Sequence, residues 1–376
     1  MSTQICEHVE SPTGPVCISP PMTERQNKHR NQKYERRAGR DRSQQWRHGL
    51  QLAFLLLNVW LGGDFYLWVR QFEGGASKLS ITRPAGVEGW LPIAGLMNMR
   101  YWASTGKIPA VHPAAMFLLL TFLAIAFLFR KAFCSWLCPI GTLSEYLWRV
   151  GRKMFGQNFH PPNWVDIPLR GLKYLLFGFF LWAVAAMSGP AIEAFMRGPY
   201  GLIADVKMLD FFRFLGRTGV VVIGILALAS VLIQNFWCRY LCPYGALLGL
   251  VSRWSPLKVR RSTNACIDCV KCARVCSAHL PVNKLLTVRS PECTACFECI
   301  AVCPVEGALG AGLPPMLNPK KPTRAIPAWV VGLGITALFV GMVGFAKTMG
   351  YWKSDLPNSI YEQLIPLAKE IGHPMP

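Results

Sequence analysis

The sequence predicts an α-helical polytopic membrane protein with five spanning helices, four of them in two repeated hairpins, and a small α+β module inserted before the fifth. Three observations carry that reading. The chain of 376 residues is 52% hydrophobic, with a positive mean hydropathy, too apolar for an ordinary soluble protein. Five stretches approach the roughly 20 apolar residues needed to cross a hydrocarbon core. Finally, the 14 cysteines are grouped: all but Cys6 and Cys17 fall into two long motifs or two short ones. Such grouping points to metal and redox work rather than a disulfide framework.

Residues 1–48 are polar, with a basic run from Arg25 to Arg47 and no core to bury, which predicts a disordered cytoplasmic tail. Arg36 and Arg37 are a twin-arginine pair, but no matching export signal follows them. The first span is Gly49–Val69, GLQLAFLLLNVWLGGDFYLWV, which reads as a span because it is too long for a signal peptide and lacks a small-residue cleavage site. The second runs from Ile108 to Phe133, the third from about Leu172 to Ile192, and the fourth from Thr218 to Trp237. Residues 49–262 thus form a four-helix transmembrane domain. Residues 263–310 hold eight cysteines and form the module, 311–324 a linker, 325–346 the fifth spanning helix, and 347–376 a short outer tail. Pro327 suits the first turn of that last helix, where a missing N–H does little harm.

With the N-terminus inside, the inner segments carry 28 Lys and Arg and the outer ones 12. The positive-inside rule then predicts a bacterial inner-membrane protein with its N-terminus and module cytoplasmic and its C-terminus periplasmic. The basic residues flank apolar runs and are not interleaved with aromatics on a polar domain. The net charge of +20 therefore reads as topology and lipid contact, and nucleic-acid binding is excluded.

A repeat lies within the membrane part. FCSWLCPIGTLSEYLWRVGRK from Phe133 aligns with WCRYLCPYGALLGLVSRWSPLK from Trp237 at an offset of 104. Parallel repeats put equivalent elements at one membrane face, so the pairs Cys134/Cys138 and Cys238/Cys242 are expected to lie near each other at the inner face. Positions i and i+4 share a helix face, which predicts two thiols side by side in each copy. Pro139 and Pro243 are expected to kink or end the helix and free the carbonyls of Ser135 and Arg239. Such a pair suits a redox dithiol, a wall of a quinone pocket, or an additional metal on soft thiolates, copper(I) or iron–sulfur; plain packing is the bland reading. Ser144–Gly156 reads as an amphipathic helix on the inner surface.

The module carries CIDCVKCARVC, Cys266 to Cys276, and CTACFECIAVCP, Cys293 to Pro304. Each reads C-x2-C-x2-C-x3-C. Three cysteines at this spacing wrap one corner of an iron–sulfur cube, and the fourth reaches the other cluster. Cys266, Cys269, Cys272 and Cys303 are therefore expected to hold one [4Fe–4S] cluster, and Cys293, Cys296, Cys299 and Cys276 a second, in a two-cluster ferredoxin-like module. Pro304 follows Cys303 as the pattern asks, whereas Ser277 follows Cys276. Zinc knuckles supply no third cysteine at x2 with a fourth at x3, and a reducing cytosol keeps such thiols available. His112 is read as a helix-entry histidine, a metal ligand or a proton acceptor for quinol, and Asp64, near the outer end of the first span, as a solvated carboxylate or a functional one.

On CSWLCP, CRYLCP and the two cluster motifs, in that order and on those spans, the chain resembles the membrane-bound polyferredoxins of the NapH and NosR type from about Trp46 to Tyr351. The resemblance implies electron transfer between the quinone pool and a partner redox protein or reductase, as a subunit rather than a free-standing catalyst. It carries the ligand roles onto the eight cysteines above, and the C-x3-C-P roles onto Cys134, Cys138, Cys238 and Cys242. Two alternatives stand beside it: a metal-handling factor that reduces copper during assembly of a respiratory enzyme, and a redox-sensing regulator.

Overall fold

The computed structural model describes residues 42–73, 81–313 and 326–373. The expected disordered tail, as far as residue 41, and the linker from residue 314 lie outside them. Within them the chain is mostly helical, with one three-stranded sheet, and divides into two compact units.

Among the described residues three helices are long and apolar enough to cross a membrane: Ser43–Arg70, Trp164–Ala186 and Ala328–Thr348. The first begins at Ser43, inside the segment expected to be tail, because Arg47 and Gln51 are buried there rather than solvated. The expected second and fourth spans are shorter as helices. Pro113–Phe129 has 17 residues, about 26 Å at 1.5 Å per residue, and Arg217–Leu232 has 16, about 24 Å. The first stops where Arg130 turns left-handed, at φ 61°, and the second where Ile233 turns extended, at φ −115° and ψ 129°, ahead of a left-handed Asn235. Arg217–Leu232 is also joined to Ala204–Arg213 through an 83° bend, so the pair is a broken span or a re-entrant turn. The third helix ends at Ala186, not Ile192, because Ser188 caps a new helix, Gly189–Arg197, by accepting from the Ala191 N–H.

One unit takes the residues up to Gln51 with Ile125–Leu137 and Leu248–Ile335. Its sheet is antiparallel in the order β2–β1–β3, with β1 Lys258–Arg261, β2 Thr287–Val288 and β3 Leu309–Gly312. Val259 pairs with Val288 on one side and Ala311 on the other, and all three are buried. The sheet extends past the expected 263–310 at both ends, since β1 lies just before residue 263 and β3 runs on to Gly312.

The other unit takes Leu52–Ala124, Cys138–Leu247 and residues from Thr336 on. The helices Pro139–Phe155 and Arg217–Leu232 pack closely there. A Cβ built on Gly151 would fall well inside contact distance of the Val231 carbonyl oxygen and 2.8 Å from its carbon, the close approach that small residues permit between helices in lipid. Ser144, Glu145 and Trp148 of the first helix are buried while Tyr146, Val150 and Met154 are exposed, which matches its amphipathic reading. The expected outer tail is structured: Asn358–Leu364 is a helix whose Tyr361 packs with Phe65, Trp68 and Val206.

Candidate metal centre

Each cluster motif forms the same loop. The second cysteine sits between two left-handed residues, Asp268 and Val270 in the first motif and Ala295 and Phe297 in the second, with φ from 48° to 60°. For side chains other than glycine this costs about 1–2 kcal/mol per residue. Strain repeated at equal positions is the backbone alternation that gathers N–H groups into an anion-binding concavity. Short helices, Lys271–Arg274 and Glu298–Ala301, then carry the third cysteines, Cys272 and Cys299.

Two cavities of nearly equal empty volume result. One, of about 380 Å³, is lined by Cys266, Cys269, Cys272 and Cys303, with Asp268, Arg261 and Leu309. The other, of about 390 Å³, is lined by Cys293, Cys296, Cys299 and Cys276, with Val259, Val288 and Phe297. Each gathers three cysteines of one motif and the fourth of the other. Among the described residues no three His, Cys, Asp or Glu side chains converge on a point suited to a single metal ion. Burial first, then neighbouring sulfurs, push the Cys272 thiol up to about 11 and Cys299 well above the usual thiol range. Burial also pushes Cys276 and Cys296 upward. Four thiolates gathered there would need compensating positive charge, which iron would supply.

The C-x3-C-P segments differ from expectation. Neither presents its two cysteines on one continuous α-helix. Cys134 lies in the four-residue helix Phe133–Trp136, and Cys138 is extended at ψ 118°. Cys238 lies in a π-helical turn, Trp237–Leu241, and Cys242 is extended at ψ 105°. The reason is proline: Pro139 and Pro243 each open a new helix, so the residue before them leaves the α region. Cys138 and Cys242 act as N-caps, their Sγ atoms accepting the N–H of Gly141 at 3.4 Å and of Gly245 at 3.2 Å. The Ser135 carbonyl, expected to be freed, accepts from Arg47 at 3.2 Å and Gln51 at 3.0 Å.

The two copies use their inner residues differently. In the first, Ser135 Oγ donates to the Thr294 carbonyl at 2.6 Å and the Trp136 indole N–H to the Ala295 carbonyl at 3.0 Å. Arg47 pairs with Glu298 at 3.2 Å, and Gln44 donates to the Cys296 carbonyl at 3.0 Å. In the second copy, Arg239 grips Asp166 with two hydrogen bonds of 3.0 and 2.9 Å, and Tyr240 donates to the same carboxylate at 2.5 Å. Sequence reasoning missed Gln44, Arg47, Ser135, Trp136 and Glu298. Ser135 and Trp136 stood inside CSWLCP and Glu298 inside CTACFECIAVCP, but Gln44 and Arg47 carry no local signal.

His112 is fully buried in the unit that takes Leu52–Ala124. Its Nε2 donates to the Gly201 carbonyl at 2.9 Å, and its Nδ1 lies 3.1 Å from Arg83 and 3.2 Å from Glu88. Arg83 also binds Asp205 at 2.7 Å. Both ring nitrogens are thereby engaged, which suits a structural node rather than a metal ligand. Asp64 is half-buried on the Ser43–Arg70 helix.

Comparison with known proteins followed the same landmarks. A family profile described as a 4Fe-4S binding domain matches residues 111–157 and 215–262, at the offset of the internal repeat. A second, a 4Fe-4S dicluster domain, matches 258–304, and so begins where β1 does. The putative electron transport protein YccM of Escherichia coli K12 is 47% identical over 328 residues, covering 87% of this chain and 92% of that protein. The ferredoxin-type protein NapH of the same organism is 26% identical over 259 residues, 66% of this chain and 83% of NapH. The regulatory protein NosR of Pseudomonas aeruginosa is 29% identical over 226 residues, 57% of this chain but only 29% of NosR. No solved structure matches.

Proposed function

The chain belongs to the NapH/NosR-type family of membrane-bound, ferredoxin-like 4Fe–4S proteins, and on that premise we propose that it passes electrons between the quinone pool and a partner reductase. Iron–sulfur electron transfer is common ground with its relatives. The assignment of two clusters is supported chiefly by one observation: each cavity is lined by three cysteines of one motif and the fourth of the other. On this reading Cys266, Cys269, Cys272 and Cys303 hold one [4Fe–4S] cluster, and Cys293, Cys296, Cys299 and Cys276 a second. Bound there, each cluster accepts or gives one electron with little rearrangement, at a potential its surroundings set. Val259, Val288 and Phe297 keep the second cavity dry, and the strained loops aim backbone donors at the sulfurs.

Five spans, with the N-terminus and module cytoplasmic and the C-terminus outside, remain part of the proposal. They rest on the asymmetry of basic residues, with the 17-residue and 16-residue helices taken as short spans. Cys134, Cys138, Cys238 and Cys242 are proposed to line the path from quinol.

Anaerobic purification with iron and sulfide analysis tests the cofactors. About eight iron per chain is expected; stoichiometric zinc without iron would refute it. Purified protein in nanodiscs should be reduced by a short-chain quinol as well as by dithionite. Reduction by dithionite alone would remove the quinone pool from the account.

A further inference from the structure

The two cysteine motifs are repeats, yet equal positions in them have unequal surroundings. Ala295, Phe297, Glu298 and Ile300 of the second motif are buried. Their counterparts Asp268, Val270 and Ala273 are half-exposed, and Lys271 is exposed, as is Arg274 beside it. The burial has an identifiable cause within one compact unit. Segments that begin or follow the apolar helices converge on residues 288–298. Arg130, one residue past the Pro113–Phe129 helix, donates to the carbonyls of Val288 at 2.8 Å and Ser290 at 2.6 Å. Ser135 and Trp136 follow it onto Thr294 and Ala295, and the Trp136 ring meets that of Phe297 edge-on at 6.3 Å. Gln44 and Arg47, from the first turns of the Ser43–Arg70 helix, reach Cys296 and Glu298.

We infer that the two cysteine pockets are ordered rather than equivalent. The pocket of Cys276, Cys293, Cys296 and Cys299 is the port to a membrane-side donor, with Trp136 as the residue that couples to its loop. The pocket of Cys266, Cys269, Cys272 and Cys303 is the port to a soluble redox partner. The inference rests on the electron-transfer reading above. The balance is simple: a quinol that gives up two electrons releases two protons to water, and two one-electron sites receive the electrons. Trp136 is a positioning residue, fixed by its hydrogen bond to the loop that carries Cys296.

The test uses the full chain in nanodiscs, with Cys299→Ser to disable the second pocket and Cys272→Ser to disable the first. Both variants are reduced with dithionite and their EPR signals recorded with and without a membrane-impermeant gadolinium chelate. The signal kept in Cys299→Ser should be relaxed strongly by the chelate, and that kept in Cys272→Ser weakly. Equal relaxation, or the reverse order, would overturn the inference, and this arm does not depend on quinol. In the second arm, quinol should still reduce Cys272→Ser, whereas Cys299→Ser should be slower by about tenfold or more. Should wild type itself resist quinol, the function proposed above fails while the chelate arm still decides the order. Trp136→Leu keeps all eight cysteines and covers the case in which a serine variant loses both signals. It should slow quinol reduction while shifting the midpoint potential of one of the two redox waves. Two unshifted waves with wild-type rates would refute the assignment.

Discussion

Replacing Arg47 by methionine removes one partner of a buried ion pair and leaves the apolar stem's volume roughly intact. Arg47 is 1% exposed, and its guanidinium lies 3.2 Å from Glu298, itself 8% exposed. Coulomb's law across 3.2 Å at an effective dielectric constant of about 20 gives about 5 kcal/mol. Breaking a buried pair typically costs about 3–5 kcal/mol, because the remaining charge stays buried without compensation. The substitution also takes one of two donors from the Ser135 carbonyl, leaving Gln51. Arg47→Met should therefore destabilise the module by about 3–5 kcal/mol. Arg47→Met with Glu298→Gln, which removes both charges, should recover most of that loss. The assay is anaerobic SDS titration of the purified protein, followed by the visible absorbance of its iron–sulfur chromophore. If single and double variants unfold at the same SDS fraction, the pair is not coupled and the reasoning fails.

Gly151→Ala drives a methyl group into the Val231 carbonyl, so the two helices must part, at a cost of about 1–3 kcal/mol. Gly178→Ala, which meets nothing within 4 Å, is the control, and thermal unfolding in detergent should separate the two. Cys138→Ser and Cys242→Ser should each abolish quinol-driven reduction and leave dithionite reduction untouched. Normal quinol kinetics in both would reduce these sulfurs to helix caps. Glu88 is subject to opposed effects: burial would raise its pKa, but Arg83 and His112 outweigh that and hold the carboxyl below its usual value of 4.5. Its contribution to stability is therefore complete above that value and lost as pH falls through the lower, folded-state value. Glu88→Gln should flatten the acid limb of a stability–pH curve, and an unchanged limb would show that other carboxylates set it.

Much of this protein is written in local chemistry. Cysteine spacing states its own ligand geometry, because three thiols two residues apart can meet only around a compact core. The fourth must then look elsewhere; in the structure Cys303 lines one pocket with Cys266, and Cys276 the other with Cys293. Apolar runs likewise announce helices, because a backbone in lipid has to satisfy its own hydrogen bonds. Other features depended on the fold. The helices ahead of both C-x3-C-P segments stop at Phe129 and Leu232, before Arg130 and Ile233, neither of them a stop-signal residue type; Arg130 is held by Ser255 and by the carbonyls of Val288 and Ser290. The i and i+4 pattern of Cys134 and Cys138 failed because proline at the next position ends one helix and starts another, a boundary that periodicity alone does not see. Most of all, the two cluster motifs look equivalent as sequence. Only the packed structure separates them, by bringing Arg47, Arg130 and Trp136, distant along the chain, onto one loop and leaving its twin half-exposed. Burial is a property of neighbours, and neighbours so far apart in sequence are chosen by the fold.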